Sequence, residues 1–85
     1  MQRRKALERN ELDEIDVKIL ECISETAYAH RSEIHRWVMR EIPSIAMLQR
    51  RLEKLEEEGY LRFELWKGYR RTGLGTEKLR ELGEI

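Results

Sequence analysis

Ser44-Ile45-Ala46-Met47-Leu48-Gln49-Arg50-Arg51-Leu52-Glu53-Lys54-Leu55-Glu56-Glu57-Glu58-Gly59-Tyr60-Leu61 reads as one capped helix that stops and turns into a strand. The Ser44 hydroxyl can accept a hydrogen bond from an orphan N–H of the first turn, and Gly59 can take the left-handed conformation that ends a helix. At roughly 100° per residue, Ile45, Leu48, Leu52 and Leu55 form an apolar stripe. Ala46, Met47, Arg50 and Lys54 then fall on the opposite side. That outer face is small, apolar or basic in its first turns and becomes acidic only towards its end.

Working outward, Leu12, Ile15, Ile19, Leu20, Ile23 and Ala27 recur at helical spacing, and Asp13 or Asp16 can cap the start or complement the positive helix end. This predicts a first helix over about 13–27. Ser32 opens a second helix in which Ile34, Trp37 and Val38 can face inward. It should end near residues 40–42, because Pro43 disfavours helical geometry in the residue before it. Past Gly59 the period changes to two, with Leu61, Phe63 and Leu65 on one side and Tyr60, Arg62, Glu64 and Trp66 on the other. Lys67-Gly68 is the expected two-residue hairpin turn and residues 69–72 the returning strand. Thr76 can cap a last helix over 77–82 that presents Leu79 and Leu82. The resulting expectation is an α+β, mainly helical chain: a winged helix-turn-helix of three helices, a β-hairpin wing and a short C-terminal helix. Its divisions are a basic arm or helix extension at 1–10, the domain at 11–75 and a possible dimerisation element at 76–85.

The 85 residues hold 17 Lys+Arg and 17 Asp+Glu, so charge distribution matters more than net charge. Segments 3–9, 50–54 and 62–71 are basic and segments 11–16 and 56–58 acidic, which suits a basic face on a neutral protein. Alternating charge on solvated helices gives a partly similar pattern. The single cysteine, Cys22, excludes an internal disulfide and is expected to be a small core residue, with redox sensing the alternative. The expected location is cytoplasmic and nucleoid-associated, since no apolar run approaches membrane-spanning length and charges stand where a signal peptide would be apolar. A bias towards Glu and Arg is of the kind seen in thermophile proteins. Only His30 and His35 are present, far from any paired acid and cysteine. No Gly-rich phosphate loop or metal-ligand spacing appears, so no enzymatic activity, cofactor, metal site or small-molecule effector is expected.

Leu12-Asp13-Glu14-Ile15-Asp16-Val17-Lys18-Ile19-Leu20 resembles the opening of the DNA-binding domain of leucine-responsive (feast/famine) transcription regulators. Ser44 to Arg51 and Leu55-Glu56-Glu57-Glu58-Gly59 resemble that family's recognition helix and exit. Thr76-Glu77-Lys78-Leu79-Arg80-Glu81-Leu82 is similar to the segment after the wing in multiple-antibiotic-resistance-type regulators. The family's ligand domain is not matched, so amino-acid sensing is not implied, and Ile34-His35-Arg36-Trp37 is bulky where the family's second helix has a small residue. Small stand-alone regulators of archaeal viruses and plasmids look similar.

The resemblance and the helix faces together imply a duplex-DNA-binding transcriptional regulator. Arg50, at the centre of the outer face, is the first choice for a bidentate contact to guanine, against the alternative of a solvated arginine. Ser44, Ala46 and Met47 occupy the turn that would enter the groove deepest. Met47 would touch a thymine methyl or else fill a gap under the second helix. Gln49 and Arg51 flank the face to reach phosphates, beside Lys54. Lys67, Arg70 and Arg71 would straddle the backbone or enter the minor groove, unless they merely solubilise an edge strand. Trp66 either covers Tyr69 across the hairpin or joins a subunit interface. A core this small leaves Leu7, Leu12, Leu79 and Leu82 as expected homodimer contacts. The alternatives are an architectural or plasmid-partition protein that spreads on DNA, and a protein–protein interaction module.

Overall fold

The computed structural model describes residues 12–85. Four helices, α1 (Glu14–Cys22), α2 (Arg31–Val38), α3 (Ile45–Glu57) and α4 (Gly73–Glu81), frame an antiparallel hairpin of β1 (Leu61–Glu64) and β2 (Gly68–Arg71). The order of elements is consistent with a winged-helix-like layout. The basic arm and Leu7 lie outside the described residues.

α1 starts where the capping signal predicts. The Asp13 carboxylate accepts the Asp16 N–H at 2.9 Å, and Asp16 reaches back to the Asp13 N–H. The helix stops at Cys22, well short of Ala27. Ile23 is extended, the chain bends at 25–27, and Ala29 then exchanges two 2.8 Å backbone hydrogen bonds with Tyr69 while the Arg71 N–H donates to the Ser24 carbonyl. These strand-type bonds to β2 override the helical spacing of the side chains, because an edge strand offers partners for backbone groups that would otherwise need water.

The α3 stripe is buried from its second turn on: Leu48, Leu52 and Leu55 join Ile19 and Leu20 of α1, Ile23 just after it, Ile34 and Val38 of α2, Leu61, Tyr69 and Leu79 in one core. Each such aliphatic side chain contributes roughly 1.5–3 kcal/mol on burial. Ile45 and Trp37, expected to face inward, are instead 41% and 49% exposed, each in the terminal turn of its helix.

Other expected boundaries shift too, α2 running Arg31–Val38 rather than from Ser32 to residues 40–42. Thr72, not Thr76, caps the last helix: its hydroxyl accepts the Gly75 N–H at 3.0 Å and donates to the Gly59 carbonyl at 2.6 Å. Gly73 and Gly75 therefore lie inside α4. A Cβ on Gly75 would collide with the Tyr60 carbonyl, so this glycine lets α4 close on the chain leading into β1. The hairpin turn is Leu65-Trp66-Lys67, with Glu64 opposite Gly68. Gly68, at φ +102°, approaches the Ala29 backbone so closely that a Cβ would lie 2.7 Å from the Ala29 carbonyl carbon. That close approach keeps Gly68 in the strand and pushes the turn one residue earlier.

Candidate nucleic-acid interface

α3 is held by the Ser44 hydroxyl, which accepts the Met47 N–H at 3.2 Å, and by its buried leucines. Its first turns present Ser44, Ala46, Met47 and Arg50 to solvent. Met47 is 51% exposed, so it does not fill a gap beneath α2. Among the described residues the Arg50 guanidinium takes part in no ion pair. Met47 and Arg50 border a shallow hollow of about 310 Å³ that also meets Asp13, Arg51 and Lys54.

The other cations of the helix are committed within the fold. Arg51 Nη1 lies 2.8 Å from both carboxylate oxygens of Asp13 and 3.0 Å from Asp16 Oδ1, and Lys54 Nζ lies 3.1 Å from Asp16 Oδ2. Asp16 is fully buried, and a buried carboxylate requires such partners. Partial burial would lift the Asp13 carboxyl, but the Arg51 hydrogen bonds, the Asp16 N–H and the charges of Arg51 and Lys54 outweigh it and hold the group below its ordinary value. Arg51 and Lys54 thus tie α3 to the start of α1. Gln49 is also engaged: its amide nitrogen donates to Tyr69 Oη at 3.1 Å and Glu53 at 3.0 Å, and its carbonyl accepts from Arg31 at 3.0 Å.

Wing cations divide in the same way. Arg71 is a structural staple, with Nη1 donating to the Leu20 carbonyl and Nε to Thr76 Oγ1, both at 2.9 Å, so it joins α1, β2 and α4. Arg70 donates to the Glu25 carbonyl at 3.2 Å and its guanidinium stands 5.4 Å from the centre of the Tyr28 ring. Lys67 Nζ stands 5.5 Å from that ring and 3.8 Å from Glu64. Tyr28 was not singled out by its sequence context, yet it gathers both cations beside the turn. Exposed Arg36 and Arg40, at the end of α2 and in the turn that follows, are further candidates that the sequence reading passed over. Their spacing of one helical turn was the available signal.

The hairpin extends past the core, so its inner face changes character along its length. Leu61 is buried, Phe63 stacks on Tyr69 with ring centres 5.0 Å apart, and Leu65 is 68% exposed. Trp66 is 87% exposed and does not cover Tyr69; Phe63 does that. Its φ of +73° puts a bulky residue at the turn position where glycine is favoured, a strain of order 1–3 kcal/mol. The Lys67 N–H closes the turn on the Glu64 carbonyl at 3.0 Å. Between α3, the start of α2 and the hairpin lies an open cleft of about 780 Å³, lined by His30, Arg31, Gln49, Glu53 and Phe63 among others.

The expected dimer contacts separate. Leu79 is fully enclosed in the core, where α4 packs along α1. Leu82, 43% exposed, shares a groove of about 320 Å³ with Leu12 and Val17. Cys22 is half-buried, its thiol donates to the Ile19 carbonyl at 3.3 Å, and burial pushes its pKa up to about 11, as suits a packing residue. Among the described residues, no group of three His, Cys, Asp or Glu side chains could hold a metal ion, and no helix is long and apolar enough to cross a membrane. No protein-family model, curated protein or solved structure matches the chain.

Proposed function

We propose that the protein is a winged helix-turn-helix DNA-binding protein, a transcriptional regulator of the nucleoid that inserts α3 into the major groove and lays its hairpin along the backbone. The observation that carries this reading is the outer face of α3. A helix anchored on one side by Leu48, Leu52 and Leu55 offers Ala46, Met47 and an exposed Arg50, in no ion pair among the described residues, on the other, a composition that fits a groove edge. The bridge of Ala29 to Tyr69 supports the fold assignment, since it sets a third extended segment beside the hairpin. Fold alone does not give function.

Two copies paired across the Leu12, Val17 and Leu82 groove would form a homodimer suited to a two-fold site. A second reading, a protein-contact module, is favoured by one observation: the acids Asp13, Asp16 and Glu64 engage Arg51, Lys54 and Lys67, three of the six cations expected to meet DNA. Selection of bound sequences from a random duplex pool decides between them. The DNA reading expects an enriched motif in which Arg50→Ala relaxes one base position, a loss of about 1–3 kcal/mol. A pool that is never retained would refute it. A long, sequence-independent footprint would instead mean an architectural or partition role.

A further inference from the structure

Trp66 is the most exposed large apolar side chain of the described residues, and it sits at the hairpin tip next to Leu65 in a backbone conformation that a tryptophan rarely adopts. An apolar pair held out in water against backbone strain contributes nothing to this subunit's core, while glycine at the same position would relieve the strain. Behind the tip stands a collar of positive charge. Lys67 and Arg70 are drawn together over the Tyr28 ring, and the one acid of the hairpin, Glu64, is shared by Arg62 at 2.9 Å and Lys67 at 3.8 Å, which leaves the tip net positive. Apolar point and cationic collar match a duplex, in which a stack of apolar base faces is flanked by two rows of phosphates.

Resting on the DNA-binding reading above, we propose that the Leu65-Trp66 tip is a wedge for duplex DNA. It enters the minor groove and partly unstacks one base step against the Trp66 indole, while Lys67 and Arg70 hold the flanking phosphates. Side chains inserted in this way kink a duplex by about 20–90°, so the wedge also bends its site. The left-handed turn serves to aim the indole away from Phe63 and Tyr69, which stack on each other. Flexible base steps such as TA or CA are its favoured targets, because they unstack most readily.

The test uses the full chain with Trp37→Phe, which leaves Trp66 as the only tryptophan, and a duplex labelled at both ends. The expected result is quenching of Trp66 fluorescence on binding, closer approach of the duplex ends, and a loss of affinity of about tenfold or more for Trp66→Gly with a melting temperature unchanged or raised. If the duplex binds and Arg50→Ala weakens it, yet Trp66→Gly binds as well as the parent and the fluorescence is unmoved, the wedge is overturned and the DNA-binding reading stands. If Trp66→Gly changes the sedimentation of the free protein and leaves DNA affinity intact, the tip is a contact between copies and the wedge is again overturned. If no duplex binds at all, both proposals fall.

Discussion

The guanidinium of Arg51 lies 3.0 Å from the fully buried carboxylate of Asp16, thirty-five positions earlier in the chain. Lys54 meets the other oxygen of the same carboxylate, so the junction of α1 and α3 is closed by one buried acid and two half-covered bases. Removing one member of a buried pair leaves uncompensated charge. Asp16→Asn should therefore lower unfolding free energy by about 3 kcal/mol in urea titration. A change below about 1 kcal/mol would mean that Arg51 and Lys54 find equivalent solvation elsewhere.

Asp13 gives the same junction a pH dependence. Its folded pKa lies below the ordinary 3.8, so its contribution is complete above that value and is lost as pH falls through the lower folded one. Because the side chain is 57% exposed, the contribution stays under about 1 kcal/mol. Comparing urea unfolding at about pH 5 and pH 3, Asp13→Asn should lose less stability on acidification than the parent. An equal or larger loss would show that the Arg51 pairing does not stabilise the fold.

Leu79 and Leu82 should respond differently although only three positions separate them at the end of α4. Leu79→Ala is expected to cost about 2–5 kcal/mol, and Leu79→Glu should abolish cooperative unfolding seen by circular dichroism. Leu82→Glu should leave the fold within about 0.5 kcal/mol and, for the proposed homodimer, shift sedimentation to the monomer. A folded Leu79→Glu protein would contradict the core assignment. A dimer untouched by Leu82→Glu would remove the groove from the interface.

Much of the architecture is legible in the chain because it rests on local chemistry. The Leu48, Leu52 and Leu55 stripe, the Ser44 and Asp13 caps, the Gly59 stop and the change to period two each involve residues within a turn or two of one another. What could not be read depends on distant partners. Ala27 has helical spacing, but the chain leaves α1 because β2 offers Ala29 a strand bond. The sequence points to Thr76 as the last cap, but the Gly59 carbonyl, thirteen positions away, holds Thr72 in that role. The candidate site suffers most from this. Arg50 and Arg51 are adjacent and chemically identical, yet the one is left to solvent and the other is claimed by Asp13 and Asp16 from across the fold.

That contrast between neighbouring cations sets the decisive experiment. Arg71, bonded to the Leu20 carbonyl and Thr76, should report on stability, whereas Arg50 should report on DNA. The measurement is duplex affinity by fluorescence anisotropy across a salt series for the parent, Arg50→Ala and Arg71→Ala, each scaled to its folded fraction. With Arg50, Lys67 and Arg70 on phosphates or bases, log affinity should fall against log salt with a slope of about −3 or steeper. Arg50→Ala should lose affinity at every salt concentration with its melting temperature unchanged, and Arg71→Ala should melt earlier while binding as the parent does. A salt-independent signal, or no duplex binding in the parent, would contradict the account.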